Sequence, residues 1–341
     1  MNSKNTKIIF LVDYDPINFN WLAKQFENTE FDSKTYGMAD SKKNRTVKWR
    51  RILLFYNYIN LAIRSLLHSK ESDIIVSWNF IVGAFAGFFC KILFLKRTIL
   101  SINMISNEKG FFNKMVRKIV YNKAFNYPKF YATVNSEELI DSYSNNFIIN
   151  RAHFFLLPDC IRHEYENAPY SIGNKKVFCG GEAMRDWPTL FKAAKLLPSV
   201  KFVGVARRKL FDTKLEIPAN VEMYYDTEPD FFYEQLKKSS LVALPLSTKA
   251  PAGLIVMIQA ALLSKPIIIT KTSSTLNYIE NMRNGILVSL GNETELAERI
   301  EYLTLNNDVR RNLAENMFID IKRFSPENYA KKIMKILRVI S

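Results

Sequence analysis

Short apolar runs closed by polar or glycine-containing turns recur along the chain, and longer amphipathic segments separate them. In the first half the apolar runs are "KIIFLVDYD" (7–15), "DIIVSW" (73–78), "RTILSINMI" (97–105) and "KFYATVNS" (129–136). Runs apolar on both faces predict buried strands of a parallel sheet. Helical spacing lies between them, in "NFNWLAKQF", "VKWRRILLFYNYINLAIRSLL" (47–67), "FIVGAFAGFFCKILF", "FFNKMVRKIVYNKAF" and "SEELIDSYSNNF". In 47–67, Trp49, Ile52, Leu53, Tyr56, Ile59, Ile63 and Leu66 fall on one helical stripe, which serves either a membrane surface beside the basic residues or the core. "SEELIDSYSNNF" carries its acids in the first turn, where the helix dipole favours them. "AHFFLLPDC" completes this half.

A polar stretch over 161–175 reads as an interdomain linker, after which the alternation restarts. Strands are expected at "KVFCGG" (176–181), "VKFVGVA" (200–206), "NVEMYYD" (220–226), "SLVALPL" (240–246), "PIIIT" (266–270) and "GILVSL" (285–290). Helices are expected at "WPTLFKAAKLL", "DFFYEQLKKS", 253–263, a short one near 275–281, "ETELAERIEYLTLN" and "SPENYAKKIMKILRVI". The fold class is α/β, with each half a Rossmann-like sheet covered by helices on both faces. The boundaries are 1–160 and 176–322, with a C-terminal helix over 323–341 expected to pack back toward the first domain. Residues 74–90 carry about seventeen largely apolar residues, near the lower limit for a membrane span. Trp78, Asn79 and two glycines interrupt the run, so strand, turn and helix are expected there instead.

Composition narrows the function classes. The chain has 341 residues, 48% hydrophobic and 24% charged, which fits two folded domains and excludes wholesale disorder. Cys90, Cys160 and Cys179 are widely spaced, so neither a disulfide framework nor a zinc site is expected. His68, His153 and His163 are scattered, which argues against a histidine metal centre and against a catalytic triad. The start "MNSKNTKIIFLVDYD" lacks the long apolar run of a signal peptide.

Charge changes the picture more. Between Ser41 and Ser136 stand 17 Lys and Arg but only three acids, Glu71, Asp73 and Glu108, a net +14 of the chain's +15. Such a field suits an anionic lipid, a lipid diphosphate or a nucleic acid, and the bland alternative is lysine-rich solvated helix faces. No aromatic RNA-binding signature accompanies it, so nucleic acid is disfavoured.

In doubly wound sheets ligands bind beyond the carboxyl ends of the strands. Three loops of the second half qualify. Gly180 and Gly181 are followed by Arg185 at a helix start, a place where a phosphate can be paired. Arg207, Arg208 and Lys209 follow "VKFVGVA". Lys249, Ala252 and Gly253 precede "LIVMIQAALL"; free amides at that helix start suit a diphosphate, reachable because Ala252 and Gly253 are small, and the amides of Ala252 and Gly253 are the candidates. Gln259 is the one polar side chain in that apolar run, and spacing alone does not decide between a backbone hydrogen bond and a ligand hydroxyl. There is no G-x-G-x-x-G and no Walker loop.

The ordered set "VFCGGEAMRDWPTLFKAAKLLPSVKFVGVA", "NVEMYYDTEPDFFYEQLKKSSLVALPL", "PAGLIVMIQAALLSKPIIIT" and "NGILVSLGNETELAERIEYLTLNNDVRRNLAENM" resembles the nucleotide-sugar domain of retaining glycosyltransferases of family four, of the bacterial cell-surface polysaccharide type. "FYATVNSEELIDSYSNNF" carries a looser likeness in the first half. The resemblance implies a GT-B fold, two Rossmann-like domains facing across a cleft, with acceptor on the first and donor on the second. It implies transfer of a sugar from a nucleoside diphosphate, UDP favoured over GDP, to a hydroxyl of a glycan, with retention and without metal or cofactor. Arg185 stands where the family has a phosphate-binding lysine. Two family glutamates spaced E-x7-E are Pro251 and Gln259 here, and an arginine often found after the glycine pair is Glu182. The first glutamate's contact to the donor sugar is therefore lost, whereas an amide at 259 still donates and accepts at a ribose.

The reading assigns Arg185 and Lys249 to the departing diphosphate, and Gly180, Gly181, Arg207, Ala252, Gly253, Leu254 and Gln259 to donor binding. Arg50, Arg51, Lys114, Arg117 and Lys118 form an expected face for an anionic membrane and a lipid-linked acceptor, on the cytoplasmic side of the cell membrane. The competing readings are a non-catalytic partner of an active enzyme, which the missing glutamates favour, and a sugar-nucleotide epimerase on the same fold.

Overall fold

The computed structural model of the chain describes residues 6–38, 48–104, 111–161, 167–181, 184–249 and 251–341, the side chains of 48–52 and 111–117 excepted. Two compact units divide it: residues 1–160 with 326–341, and residues 161–325.

The first unit alternates β1 (Thr6–Leu11), α1 (Asn20–Ala23), β2 (Phe31–Tyr36), α2 (Lys48–Leu67), β3 (Ile74–Ser77), α3 (Phe80–Ile92), β4 (Thr98–Ser101), α4 (Phe111–Phe125), β5 (Phe130–Val134), α5 (Glu137–Phe147) and β6 (Phe154–Leu156). All pairings are parallel, in the order β2-β1-β3-β4-β5-β6. The residues around 74–90 form strand, turn and helix, with Asn79 accepting from the Ile81 amide at 2.9 Å as the cap of α3. Among the described residues no helix is long and apolar enough to cross a membrane.

The second unit runs β7 (Lys176–Gly180), α6 (Trp187–Leu196), β8 (Lys201–Ala206), β9 (Val221–Tyr225), α7 (Pro229–Lys238), β10 (Leu241–Leu244), α8 (Leu254–Leu262), β11 (Ile267–Thr270), β12 (Ile286–Val288), α9 (Glu293–Leu305) and α10 (Asn307–Ile321). Its six strands are also parallel, in the order β12-β11-β10-β7-β8-β9. The short helix expected near 275–281 is a single 3-10 turn, Thr275–Asn277. A last helix, α11 (Pro326–Ile340), belongs to the first unit. Its Tyr329, Ala330, Ile333, Ile336, Leu337 and Ile340 are buried in one cluster with Ile8, Phe10, Val76 and Leu100.

The stripe on α2 divides in the structure: Leu66 is buried and Ile59 packs on the core, while the side chains of Trp49 and Ile52 lie outside the described residues. Leu53, Tyr56 and Ile63 are exposed (48, 62 and 39%), while Tyr58, Leu61, Ala62 and Leu66 face the core. The helix is apolar on more than one side, so periodicity offers two stripes, and packing on the sheet selects between them. His153 has a structural setting: its Nδ1 lies 2.7 Å from the Phe130 carbonyl and its ring packs between Phe125 and Tyr131.

Residues 167–175 run along the second unit and are pinned to it. The Ala168 amide donates to Leu262 O (3.0 Å), Ser264 Oγ to Ala168 O (2.7 Å) and Lys265 Nζ to Ser171 Oγ (3.0 Å). Lys265 is 1% exposed, and burial lowers its pKa to about 8. An unfolded lysine titrates near 10.4, so between about pH 8 and 10 the unfolded chain holds a proton that the folded chain releases. Stability therefore rises with pH across that window, and the buried ammonium costs most at and below pH 8. Lys265→Met is expected to raise the melting temperature at pH 7, with the difference shrinking toward pH 10. A difference constant from pH 7 to 10 in thermal melts would show that Lys265 titrates as an ordinary lysine.

Candidate functional site

Strand order reverses in the second sheet between β7 and β10, and a crevice at such a switch point is where open α/β sheets hold ligands. Two loops meet there. After β7 the chain turns through Gly181 (φ +134°) and Met184 (φ +58°), then reaches Asp186, which caps α6 by accepting from the Thr189 amide at 3.1 Å. After β10 it runs through Leu246 to Gly253. An antiparallel bridge joins Arg185 to Leu246, the Asp186 amide donates to Pro245 O (2.9 Å), and the Ser247 amide donates to Met184 O (3.1 Å). Leu246 N also donates to Thr270 Oγ1 at 2.8 Å, which ties the seam to β11.

Arg185 is the centre of this seam. Its Nε donates to Gly180 O at 2.6 Å, and the residue is only 8% exposed. The guanidinium occupies space that two glycines leave open. A Cβ on Gly181 would stand 2.5 Å from Nη2, and one on Gly253 would stand 3.3 Å from Nη1. Burial lowers the Arg185 pKa, yet an arginine keeps its proton in a protein. The neighbouring Cys179 thiol is pushed up to about 12 by burial, so it stays neutral and offers no counter-charge.

Gly253 also starts α8. It is the N-cap in the left-handed region (φ +76°), and no side chain caps the helix. The first amides of α8 thus stay available to a ligand, and the helix dipole adds partial positive charge beside the buried guanidinium. The structure brings together Gly180, Gly181, Arg185 and Gly253. Leu254 contributes its amide alone, because its side chain is buried in the core. Ala252 is half-buried at the same turn.

The other assigned residues stand further out. Arg207 is exposed at the end of β8, the strand beside β7. Arg208 stacks over the Tyr225 ring at 4.5 Å, and its amide donates to Asp226 Oδ1 at 3.2 Å. That platform was not legible in the sequence, because it needs β8 and β9 in register. Lys249 is exposed, and Ala250 beside it lies outside the described residues, as does Glu182. Gln259 is half-buried on α8, and its side-chain amide makes no hydrogen bond to any described residue. Of the basic face, Lys118 is exposed on α4, whereas the side chains of Arg50, Arg51, Lys114 and Arg117 lie outside the described residues. A cavity of about 600 Å³ sits instead at the ends of β11 and β12, between Lys271, Ser289, Glu295 and Arg323. Its lining mixes charges of both signs, and it gathers none of the residues around Arg185.

Residues 177–319 match the family described as glycosyl transferases group 1. No curated protein matches the whole sequence significantly. Among solved structures, Anabaena HepE in complex with UDP superposes with a TM-score of 0.73 at 17% identity, covering 98% of this chain and 100% of that one. HepE in complex with UDP-glucose gives 0.71 at 18% identity, covering 98% and 99%. Sucrose-phosphate synthase from Thermosynechococcus elongatus gives 0.71 at 11% identity, covering 98% and 99%. The two parallel six-stranded sheets are the two Rossmann-like domains of the GT-B fold, and with the group 1 domain in the second unit the chain is a glycosyltransferase.

Proposed function

We propose that this glycosyltransferase takes a sugar from UDP and transfers it to a hydroxyl of a lipid-linked glycan at an anionic membrane surface, with retention of configuration. The observation that carries the donor half is the Arg185 guanidinium buried between Gly181 and Gly253 at the open start of α8. The hard step is departure of the nucleoside diphosphate, whose charge grows as the bond to the sugar breaks. A fixed cation and oriented amides in a site shielded from water stabilise that charge without reorganising. Pro251 occupies the position of the family's sugar-binding glutamate, so no side-chain nucleophile is supplied from this turn. Attack from the face where the diphosphate leaves fits that lack, and the leaving phosphate is then the base that takes the hydroxyl proton. The UDP and UDP-glucose complexes of HepE support the choice of nucleotide.

The Gln259 side-chain amide, without a bond among the described residues, is assigned to the ribose. Thermal shift against a panel of UDP, GDP and their sugars tests the donor, with UDP expected to give the largest stabilisation. Gln259→Ala should then weaken UDP binding by about 1–2 kcal/mol, close to tenfold, with the fold intact. Unchanged affinity by calorimetry would return Gln259 to a packing role.

The acceptor half rests on the +14 between Ser41 and Ser136. Each basic residue near an anionic bilayer contributes on the order of 1 kcal/mol, so a few suffice for docking. Vesicles containing phosphatidylglycerol should bind the protein, neutral vesicles should not, and salt should weaken binding by screening. Reversing Arg50, Arg51, Arg117 and Lys118 together should abolish vesicle binding and spare UDP affinity. A wild-type protein that ignores anionic vesicles at low salt would point to a soluble acceptor.

A further inference from the structure

The first unit holds a cavity of about 380 Å³ that neither the donor chemistry nor the basic face uses. It opens between the last turns of α4 and α5, at the amino ends of β5 and β6. Asn122 and Asn126 reach it from the end of α4, and Asn150 and His153 from the turn before β6. Phe125 and Phe147 supply an apolar wall. Among the described residues no charged side chain lines it, although its α4 residues fall inside the +14 stretch.

Its polar groups are unspent. Asn122 Oδ1 is buried with no hydrogen-bond partner among the described residues, and such an orphan is costly unless something donates to it. The Asn126 side chain makes no hydrogen bond to any described residue. Asn150 spends its Oδ1 on the Ala152 amide (2.9 Å) and keeps its Nδ2. His153 Nδ1 lies 2.7 Å from the Phe130 carbonyl, which only accepts, so Nδ1 carries the proton. A neutral ring then keeps Nε2 as a bare acceptor. The rim adds a strained residue. Ile148 ends α5 in the left-handed region (φ +55°) and is 93% exposed. A β-branched side chain is an outlier there, where glycine or asparagine commonly ends a helix. Core packing does not require this isoleucine, whereas an apolar surface offered to a ligand does.

We infer that this cavity is a second carbohydrate site, which holds one neutral sugar ring of a glycan away from its reacting end. The inference rests on the glycan half of the function proposed above. Amide donors and acceptors suit sugar hydroxyls, and Phe147 and Ile148 suit the C–H face of a pyranose. Arg151, next in the chain to Asn150, is paired with Glu137 and Asp141, so it is not spare for a phosphate. The cavity volume lies near the lower end of small-molecule sites, which fits a ring and not a long chain. The strand β5 is five residues long, so about 16 Å of sheet separates the cavity from the carboxyl edge, where such sheets bind reacting ligands. The role of the site is therefore tethering: a glycan held here presents its free end at a raised effective concentration.

The test is saturation-transfer NMR on the full chain with UDP at saturation, beside calorimetric UDP binding and thermal melts. The probes are glucose, N-acetylglucosamine, their neutral oligomers, glucose 6-phosphate and adenosine. Wild type should bind a neutral sugar more tightly than glucose 6-phosphate or adenosine. Ile148→Gly should raise the melting temperature, since glycine relieves the left-handed turn, yet weaken sugar binding at least fivefold. Asn122→Ala should weaken it as much without lowering the melting temperature. Both variants should keep UDP affinity within twofold. Sugar binding unchanged in both variants, absent from wild type, or surpassed by adenosine or glucose 6-phosphate overturns the assignment. Turnover onto a glycan with sugar binding untouched by the variants overturns the cavity site and leaves the glycan acceptor in place. Sugar binding lost in the variants while wild type fails to bind UDP supports the site and counts against the donor reading alone.

Discussion

Arg185→Ala is expected to cut turnover by about 10²–10³-fold, the usual effect of deleting one fixed donor aimed at developing charge. Affinity for UDP should fall much less, because the guanidinium acts most strongly when the diphosphate carries its full leaving charge. Melting temperatures are read alongside, and a modest fall is expected because Gly180 O loses its 2.6 Å donor. Arg185→Lys should recover only part of the activity: it restores a point charge but not the planar fork that reaches past both Gly181 and Gly253. Steady-state kinetics with a fixed acceptor, or UDP release with water as acceptor, gives the comparison. An alanine variant with wild-type turnover would move the role to Lys249 or Arg207.

Gly181→Ala is the second large effect, and it reaches the same guanidinium from the other side. The residue sits at φ +134°, where a side chain is strained by about 1–3 kcal/mol, and its Cβ would lie 2.5 Å from Arg185 Nη2. The arginine must move or the loop must open. Turnover is expected to fall about 10–100-fold, the equivalent of 1.4–2.8 kcal/mol. The two substitutions act through one group, so the double variant should be little worse than Arg185→Ala alone. Full additivity in that cycle would mean that Gly181 serves the backbone turn and not the guanidinium.

Both sheets were legible because buried parallel strands are apolar on both faces and leave short runs such as "DIIVSW" and "PIIIT" in plain view. The strand β2 was not, since "FDSKTY" lies at the sheet edge and buries only Phe31. The helix α10 was also missed as an element: Leu313, Ala314, Met317 and Ile321 make a narrow buried stripe at helical spacing, but "NDVRRNLAENMFIDI" is polar around the rest of its circumference. Arg185 could be picked out from its place behind a glycine pair. The reason for the pair could not, because Gly253 is 68 positions away and meets Arg185 only once β7 and β10 lie side by side. The cavity of the first unit stayed hidden for a related cause. Each of its asparagines is one ordinary residue at a helix end or turn, and only the packing of α4 beside α5 makes neighbours of Asn122 and Asn150.

The last helix gives the chain an order of assembly. The first unit takes α11 from the far end of the sequence, after the whole of the second unit has intervened. During synthesis the first sheet is made early, yet Ile8, Phe10, Val76 and Leu100 have no Ile333 or Leu337 to lie against until α11 has emerged from the ribosome. The second unit, continuous over 161–325, has every one of its strands beforehand. The half made second is thus the one able to mature first, and the earlier half waits with one apolar face bare, a stage open to chaperone capture or aggregation.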